Sequence, residues 1–191
     1  STLGPGCIIG QSRGDILIDR YVAIEEILAH IQPDDLVVST TGPIFYMIGS
    51  MGLASAVGLG LAIQTPHKRI FILEGDGSAL MSLGTLPLIA SQGVPNLIHV
   101  ILDNEAYEST GGQASISSRF DLAETAGATG YPWARRVEDV EELESALLEA
   151  KDGSLLSLIL VKCGIAPVNG IPRVSHAPTE IRDRFRNAVQ S

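Results

Sequence analysis

Cysteine is scarce in this sequence: Cys7 and Cys163, far apart, are the whole supply in 191 residues. The two could pair, but they make neither a disulfide framework nor a zinc-ligand spacing, and a reducing, cytoplasmic setting is expected. Positive charge is also short. Thirteen Lys and Arg stand against 22 Asp and Glu, for a net charge of −9, which argues against the clustered cationic surface that nucleic-acid binding requires. An anionic small ligand stays compatible with that charge, because a metal ion or backbone N–H groups bind anions locally. No apolar run reaches the ~18 uninterrupted residues of a membrane-spanning helix. The opening STLGPGCIIGQSRGD lacks the basic-then-apolar pattern of a signal peptide. It begins on Ser1 rather than Met, so a processed or cut end is expected.

What is present reads as a folded globular chain. Apolar residues make up 45% and charged residues 18%, and the length suits one α/β domain with a real core. Residues 1–18 read as an N-terminal arm, 19–165 as the domain, and 166–191 as a tail carrying a short helix from about Pro178 to Val189. Apolar residues from Tyr21 to Ile31 recur at helical spacing. LVVS at 36–39 is a short buried strand. The small residues of GSMGLASAVGLGLAI, 49–63, predict a helix packed closely on a neighbour. RIFILEG, 69–75, NLIHVIL, 96–102, and LLSLILVK, 155–162, are buried strands, and YPWARR is a further one. LMSLGTLPLIASQG is helical with a kink at Pro87. A polar, Gly-rich loop fills 104–118, DLAETAGATG is a short helix, and Val137–Ala150 is amphipathic. Strands and helices alternate and the strands are continuously apolar. The fold class is therefore α/β: a three-layer αβα arrangement with a parallel sheet. Ligands of such sheets sit beyond the C-terminal strand ends.

The stretch that carries chemistry runs from Leu73 to Gln113. One buried strand ends in Gly75-Asp76-Gly77-Ser78 and a helix follows; the next strand ends in Asp103-Asn104. Alone, Gly75-Asp76-Gly77 is a tight strand-to-helix turn and Asn104 a cap. Together, after consecutive strands, a carboxylate and an amide oxygen form a hard oxygen site suited to Mg²⁺ with phosphate. The glycines allow close backbone approach, and the helix start offers free N–H groups.

GDG followed by 25 residues and Asp-Asn resembles the signature of thiamine-diphosphate-dependent enzymes, over roughly residues 35–165. The resemblance implies a thiamine-diphosphate-binding fold and a cofactor lying between two domains or subunits, of which this one would hold the diphosphate. It implies Asp76, Asn104 and the main-chain carbonyl of Ala106 as Mg²⁺ ligands, with Gly75, Gly77, Ser78 and Tyr107 around the cofactor. Asp103 stands where many members have Asn. Gly49-Ser50-Met51 is similar to the segment that faces the aminopyrimidine, with Met51 as the wedge that bends the cofactor. Thr40, Thr41 and Gly42 resemble the loop at its phosphate end.

The run Ser109-Thr110-Gly111-Gly112-Gln113 is similar to the branch containing phosphonopyruvate and sulfopyruvate decarboxylases. That branch implies non-oxidative decarboxylation of an anionic 2-keto acid to an aldehyde and CO₂. Ser109, Thr110, Gln113 and Arg119 are the substrate-side candidates. The activating Glu of the family lies on a pyrimidine-binding domain, for which this sequence has no room; Glu74 belongs to the wrong half. A separate α-type subunit in a hetero-oligomer is therefore expected as partner. His99, mid-strand, reads as a packed residue, and His67 as solvated. A nicotinamide-binding domain is disfavoured, since Gly58-Leu59-Gly60 lies inside a helix rather than after the first strand. A carboligase on the same cofactor, or a non-catalytic assembly module of this fold, are the competing readings.

Overall fold

The computed structural model describes residues 17–39, 45–47, 49–165 and 177–190. Helix α1 (Arg20–Ala29) is capped by Asp19, whose carboxylate accepts the Tyr21 and Val22 N–H groups, the usual remedy for unpaired donors at a helix start. The short strands β1 (Leu36–Ser39) and β2 (Phe45–Tyr46) precede α2 (Ala54–Gln64). Strand β3 (Ile70–Gly75) runs directly into α3 (Asp76–Met81); α4 (Thr85–Gln92) and β4 (Leu97–Asp103) follow. The hairpin β5 (Ala106–Tyr107) and β6 (Gln113–Ala114) leads to α5 (Leu122–Thr129), β7 (Trp133–Val137), α6 (Val140–Asp152), β8 (Ser157–Lys162) and α7 (Pro178–Gln190).

Six of these strands form one parallel sheet in the order β2-β1-β3-β4-β8-β7. Successive side chains alternate between its faces. Leu36, Ile70, Ile72, Leu97 and Leu158 pack with residues of α2, α4 and α5. Val37, Phe71, Val100, Ile159 and Val161 pack with α1 and α6 on the other face. Both faces are buried, which explains the continuously apolar strands, and the expected three-layer αβα architecture is the one observed. Phe71 is fully buried, and truncating it to Ala would cost roughly 3–5 kcal/mol. Cys163 is also buried, paired backbone to backbone with Ile18. Burial pushes its thiol up to about 12, which makes it unreactive. Cys7 lies outside the described residues.

Several sequence expectations shift. The helix expected from Gly49 starts at Ala54, because Gly49 and Gly52 take left-handed φ values of 74° and 90°. Its close packing holds: a Cβ on Gly58 would stand 2.3 Å from Ile72. The long helix expected around Pro87 is two helices, broken at 82–84. Pro87 is the third residue of α4, where no intrahelical N–H donor is lost, so it introduces no kink. Val137 ends a strand instead of starting a helix. The loop expected over 104–118 holds the β5–β6 hairpin and two 3₁₀ turns. The pair Phe45–Tyr46 went unnoticed as a strand, being too short to show a pattern. Helix α7 returns to that sheet edge, where Phe45 and Phe185 meet with ring centroids 4.4 Å apart. Among the described residues no helix is long and apolar enough to cross a membrane.

Candidate functional site

The register of β3 and β4 places Gly75 beside Leu102. One residue further along each chain, Asp76 and Asp103 reach the same edge of the sheet, and Asn104 follows. Asp76 and Asn104 line one cleft of about 100 Å³, together with Arg20, Met51, Gly75, Gly77, Ser78, Leu102, Ala106, Tyr107, Glu108 and Ser109. The two oxygen donors named from the sequence thus share a cavity at the C-terminal strand ends.

Asp76 is only 1% exposed. Its Oδ2 accepts the Ser115 hydroxyl, and the Ser117 hydroxyl oxygen stands 3.1 Å from it. Burial raises its pKa and the neighbouring Asp103 charge adds to the rise; the serine hydroxyls and the Gly77 N–H oppose it. Among the described residues no Lys or Arg pairs with Asp76. A buried carboxylate beside a second carboxylate, without a cation of its own, is the electrostatic complement of a metal ion.

Asp103 is differently placed. The β4–β8 register sets it beside Lys162, whose Nζ donates to its Oδ2 at 2.9 Å and to Glu105 at 2.6 Å. Its Oδ1 accepts from Ser117 at 2.7 Å and from the Glu105 N–H at 3.1 Å. Asp103 therefore holds the loop, and Asn104 turns into the cleft. The Asn104 amide donates to Glu108 at 3.0 Å, and its Oδ1 accepts the Ala106 N–H at 3.1 Å. That leaves one lone pair of this sp² oxygen for a further partner. Glu108 is also paired with Arg20.

Gly77 needs its bare backbone for a neighbour: a Cβ there would stand 2.5 Å from the Tyr107 ring. The Ser78 hydroxyl points inward. It donates to Glu74 at 2.6 Å and accepts the Gly52 N–H at 3.0 Å. Glu74 and His99 are fully buried and meet at 2.8 Å, so His99 is a packed residue, though hydrogen-bonded and not merely apolar. Burial, with the Glu74 charge second, pushes the Tyr131 phenol up.

Gly49 and Ser50 precede Met51 without lining the cleft. Thr40, Thr41 and Gly42 lie outside the described residues. Of the substrate-side candidates, Ser109 lines the cleft. Thr110 and Gln113 are exposed and bonded to each other at 3.1 Å. Arg119 is exposed on the turn Ile116–Arg119, away from the cleft. The cation in the cleft wall is Arg20, which sequence reasoning missed, as it missed Glu108, Ser115 and Ser117. Their Ser-x-Ser spacing after the Gly-rich loop is the sequence signal that marks the two serines.

Comparison with known proteins identifies the family. Residues 32–161 match the family described as thiamine pyrophosphate enzyme, C-terminal TPP binding domain. A phosphonopyruvate decarboxylase of Streptomyces hygroscopicus is 40% identical over 182 residues, which cover 87% of this chain and 45% of that protein. The chain thus spans about half the length of that relative. A sulfopyruvate decarboxylase subunit beta of Methanothermobacter thermautotrophicus is 37% identical over 188 residues, 92% of this chain and 97% of that subunit. In fold, the chain resembles a 4-hydroxybenzoylformate decarboxylase of Rhodococcus jostii, with a TM-score of 0.66 at 19% identity, covering 88% of this chain and 37% of that one. With the glycine-flanked Asp76 and the Asn104 turn on one cleft, the chain belongs to the thiamine pyrophosphate enzyme family, as its C-terminal cofactor-binding domain.

Proposed function

We propose that this chain is the diphosphate-binding half of a thiamine-diphosphate- and Mg²⁺-dependent decarboxylase. Its substrate would be an anionic 2-keto acid, 3-phosphonopyruvate or 3-sulfopyruvate, released as the aldehyde and CO₂. The observation that carries this reading is the meeting of Asp76 and Asn104 on one cleft at adjacent strand ends. The names of the relatives supply the substrate class.

In this reading Asp76, Asn104 and the Ala106 carbonyl hold Mg²⁺. The backbone of Gly75, Gly77 and Ser78 would lie along the diphosphate, and Tyr107 packs against Gly77. Gly49, Ser50 and Met51 face the pyrimidine. When bound, thiamine diphosphate supplies the electron sink for loss of CO₂. The protein binds, orients and keeps water out. Arg20, paired with Glu108, puts a guanidinium on the cleft wall for an anionic group, and of the substrate-side candidates Ser109 stands on the cleft.

Two features support a second domain or subunit. The cleft of about 100 Å³ is well short of the roughly 300–1,000 Å³ that encloses a whole small ligand. Glu74 cannot serve as the activating acid, because both its oxygens are engaged beneath the cleft. A pyrimidine-binding α-type partner in a cytoplasmic hetero-oligomer completes the reading. The name "subunit beta" carried by a relative matched over 97% of its length points the same way. Thiamine diphosphate titrated into the complete enzyme should bind saturably with Mg²⁺ and dissociate with EDTA. Turnover should favour phosphonopyruvate or sulfopyruvate over pyruvate. Metal-independent binding would refute the site, and full turnover by this chain alone would refute the need for a partner.

A further inference from the structure

Glu74 is an ionisable residue with no exposed surface, set among apolar neighbours one register step from Ile72. Burying a carboxylate is costly unless its hydrogen bonds are met, and packing alone would be served as well by an aliphatic residue. Its two oxygens are spoken for. Oε1 meets His99 Nε2 at 2.8 Å, and Oε2 accepts the Ser78 hydroxyl at 2.6 Å. His99 Nδ1 in turn lies 3.4 Å from the Tyr131 hydroxyl. A carboxylate only accepts, so Ser78 must spend its single proton on Glu74. The Ser78 oxygen is then left to accept, and the Gly52 N–H donates to it at 3.0 Å. Without Glu74 that hydroxyl could rotate and donate elsewhere. Gly52 follows Met51, which lines the same cleft as Asp76, and Ser78 stands two residues after Asp76. One line of hydrogen bonds thus joins the sheet interior, the metal-side turn and the turn bearing Met51.

We propose that Glu74 is a positioning residue: by fixing the direction of the Ser78 hydroxyl it straps the Gly52 amide to α3 and so sets where Met51 stands relative to Asp76. Its consequence for cofactor binding rests on the reading of the cleft as a thiamine diphosphate site; the strap itself belongs to the ligand-free chain. Charge-assisted hydrogen bonds are the strong ones, and linked bonds polarise one another, so Glu74→Gln should weaken the strap and Ser78→Ala should remove it.

The test has two arms. In the ligand-free protein, exchange of the Gly52 amide is followed by NMR or mass spectrometry. Ser78→Ala should speed it at least tenfold while the amides of β4 exchange as in the wild type. Glu74→Gln, whose side-chain oxygen still accepts, should fall between the two. Unchanged exchange at Gly52 in Ser78→Ala overturns the proposal without touching the cofactor reading. In the complete enzyme, affinity for thiamine diphosphate with Mg²⁺ is measured for Glu74→Gln alone and on a Met51→Ala background. The proposal expects a loss of about fivefold that vanishes once Met51 is gone, the non-additivity of residues acting in series. Equal losses on both backgrounds overturn it, whereas a wild-type enzyme that binds no cofactor overturns the reading of the site instead.

Discussion

At the N-terminal ends of the strands, charged side chains are matched by protein groups. Lys151 donates to the His30 carbonyl at 2.7 Å, Arg69 to the Lys151 carbonyl at 3.0 Å, and Lys68 to the Ala188 carbonyl at 2.8 Å. These carbonyls close α1, α6 and α7, where unpaired acceptors and the negative helix end favour a cation. Asn96 ties the same end together by donating to the carbonyls of Ala62, Thr65 and Lys68. A basic cleft of about 290 Å³ lies there, and helix capping accounts for its charge. At the C-terminal ends the arrangement is reversed. Asp76 is buried beside Asp103, its pKa raised, and among the described residues its side-chain hydrogen bonds come from hydroxyls. One end is closed by helix capping; the other holds the cleft of the proposed cofactor site. The N-terminal end can therefore be perturbed without reaching the cleft.

The largest expected effect is at Lys162, the buried cation paired with Asp103. Lys162→Met leaves a buried carboxylate without its counter-ion and should cost roughly 3–5 kcal/mol, read by urea denaturation. Next is Asp76→Asn. It should weaken Mg²⁺-dependent cofactor binding by more than the roughly 10–100-fold attached to outer-shell partners. The same change should raise the ligand-free melting temperature by about 2–4 °C, since it removes a buried charge kept for function.

The pH dependence sharpens that point. A carboxyl with a raised folded pKa binds its proton more tightly in the native state. Its contribution to stability is present at low pH and lost as pH rises from the ordinary value of 3.8 through the raised one. The thermal advantage of Asp76→Asn over wild type should therefore grow with pH across that window and disappear once Mg²⁺ and cofactor are bound. At the opposite end, Lys151→Met should cost about 1 kcal/mol and leave cofactor affinity unchanged; a change in affinity would break the comparison. The smallest effect is expected at Arg136, itself about half exposed in its pairs with Glu138 and Asp121. Arg136→Ala should stay within about 0.5 kcal/mol.

The parts legible in the sequence are those specified locally. Buried strands ending in Gly-Asp-Gly and in Asp-Asn announce themselves through short-range pattern, and alternation of strand and helix implies the parallel sheet. Arg20 was invisible because it reaches Glu108 across 88 residues, and Ser115 reaches Asp76 across 39; only tertiary packing brings them in. Arg119 drew attention as the cation nearest the Gly-rich loop in sequence, yet the 3₁₀ turn carries it to the surface. Pro87 misled for a related reason: the cost of proline depends on its place in the helix, and a break at Ser82-Leu83-Gly84 puts it in a first turn.

The most direct test is a crystal structure of the complete enzyme with thiamine diphosphate and Mn²⁺ in place of Mg²⁺. Anomalous signal is predicted between one Asp76 carboxylate oxygen and Asn104 Oδ1, with both at roughly 2.0–2.2 Å from the ion and the diphosphate completing its shell. A metal bound elsewhere, or a diphosphate seated without contact to either side chain, would contradict the assignment of this cleft.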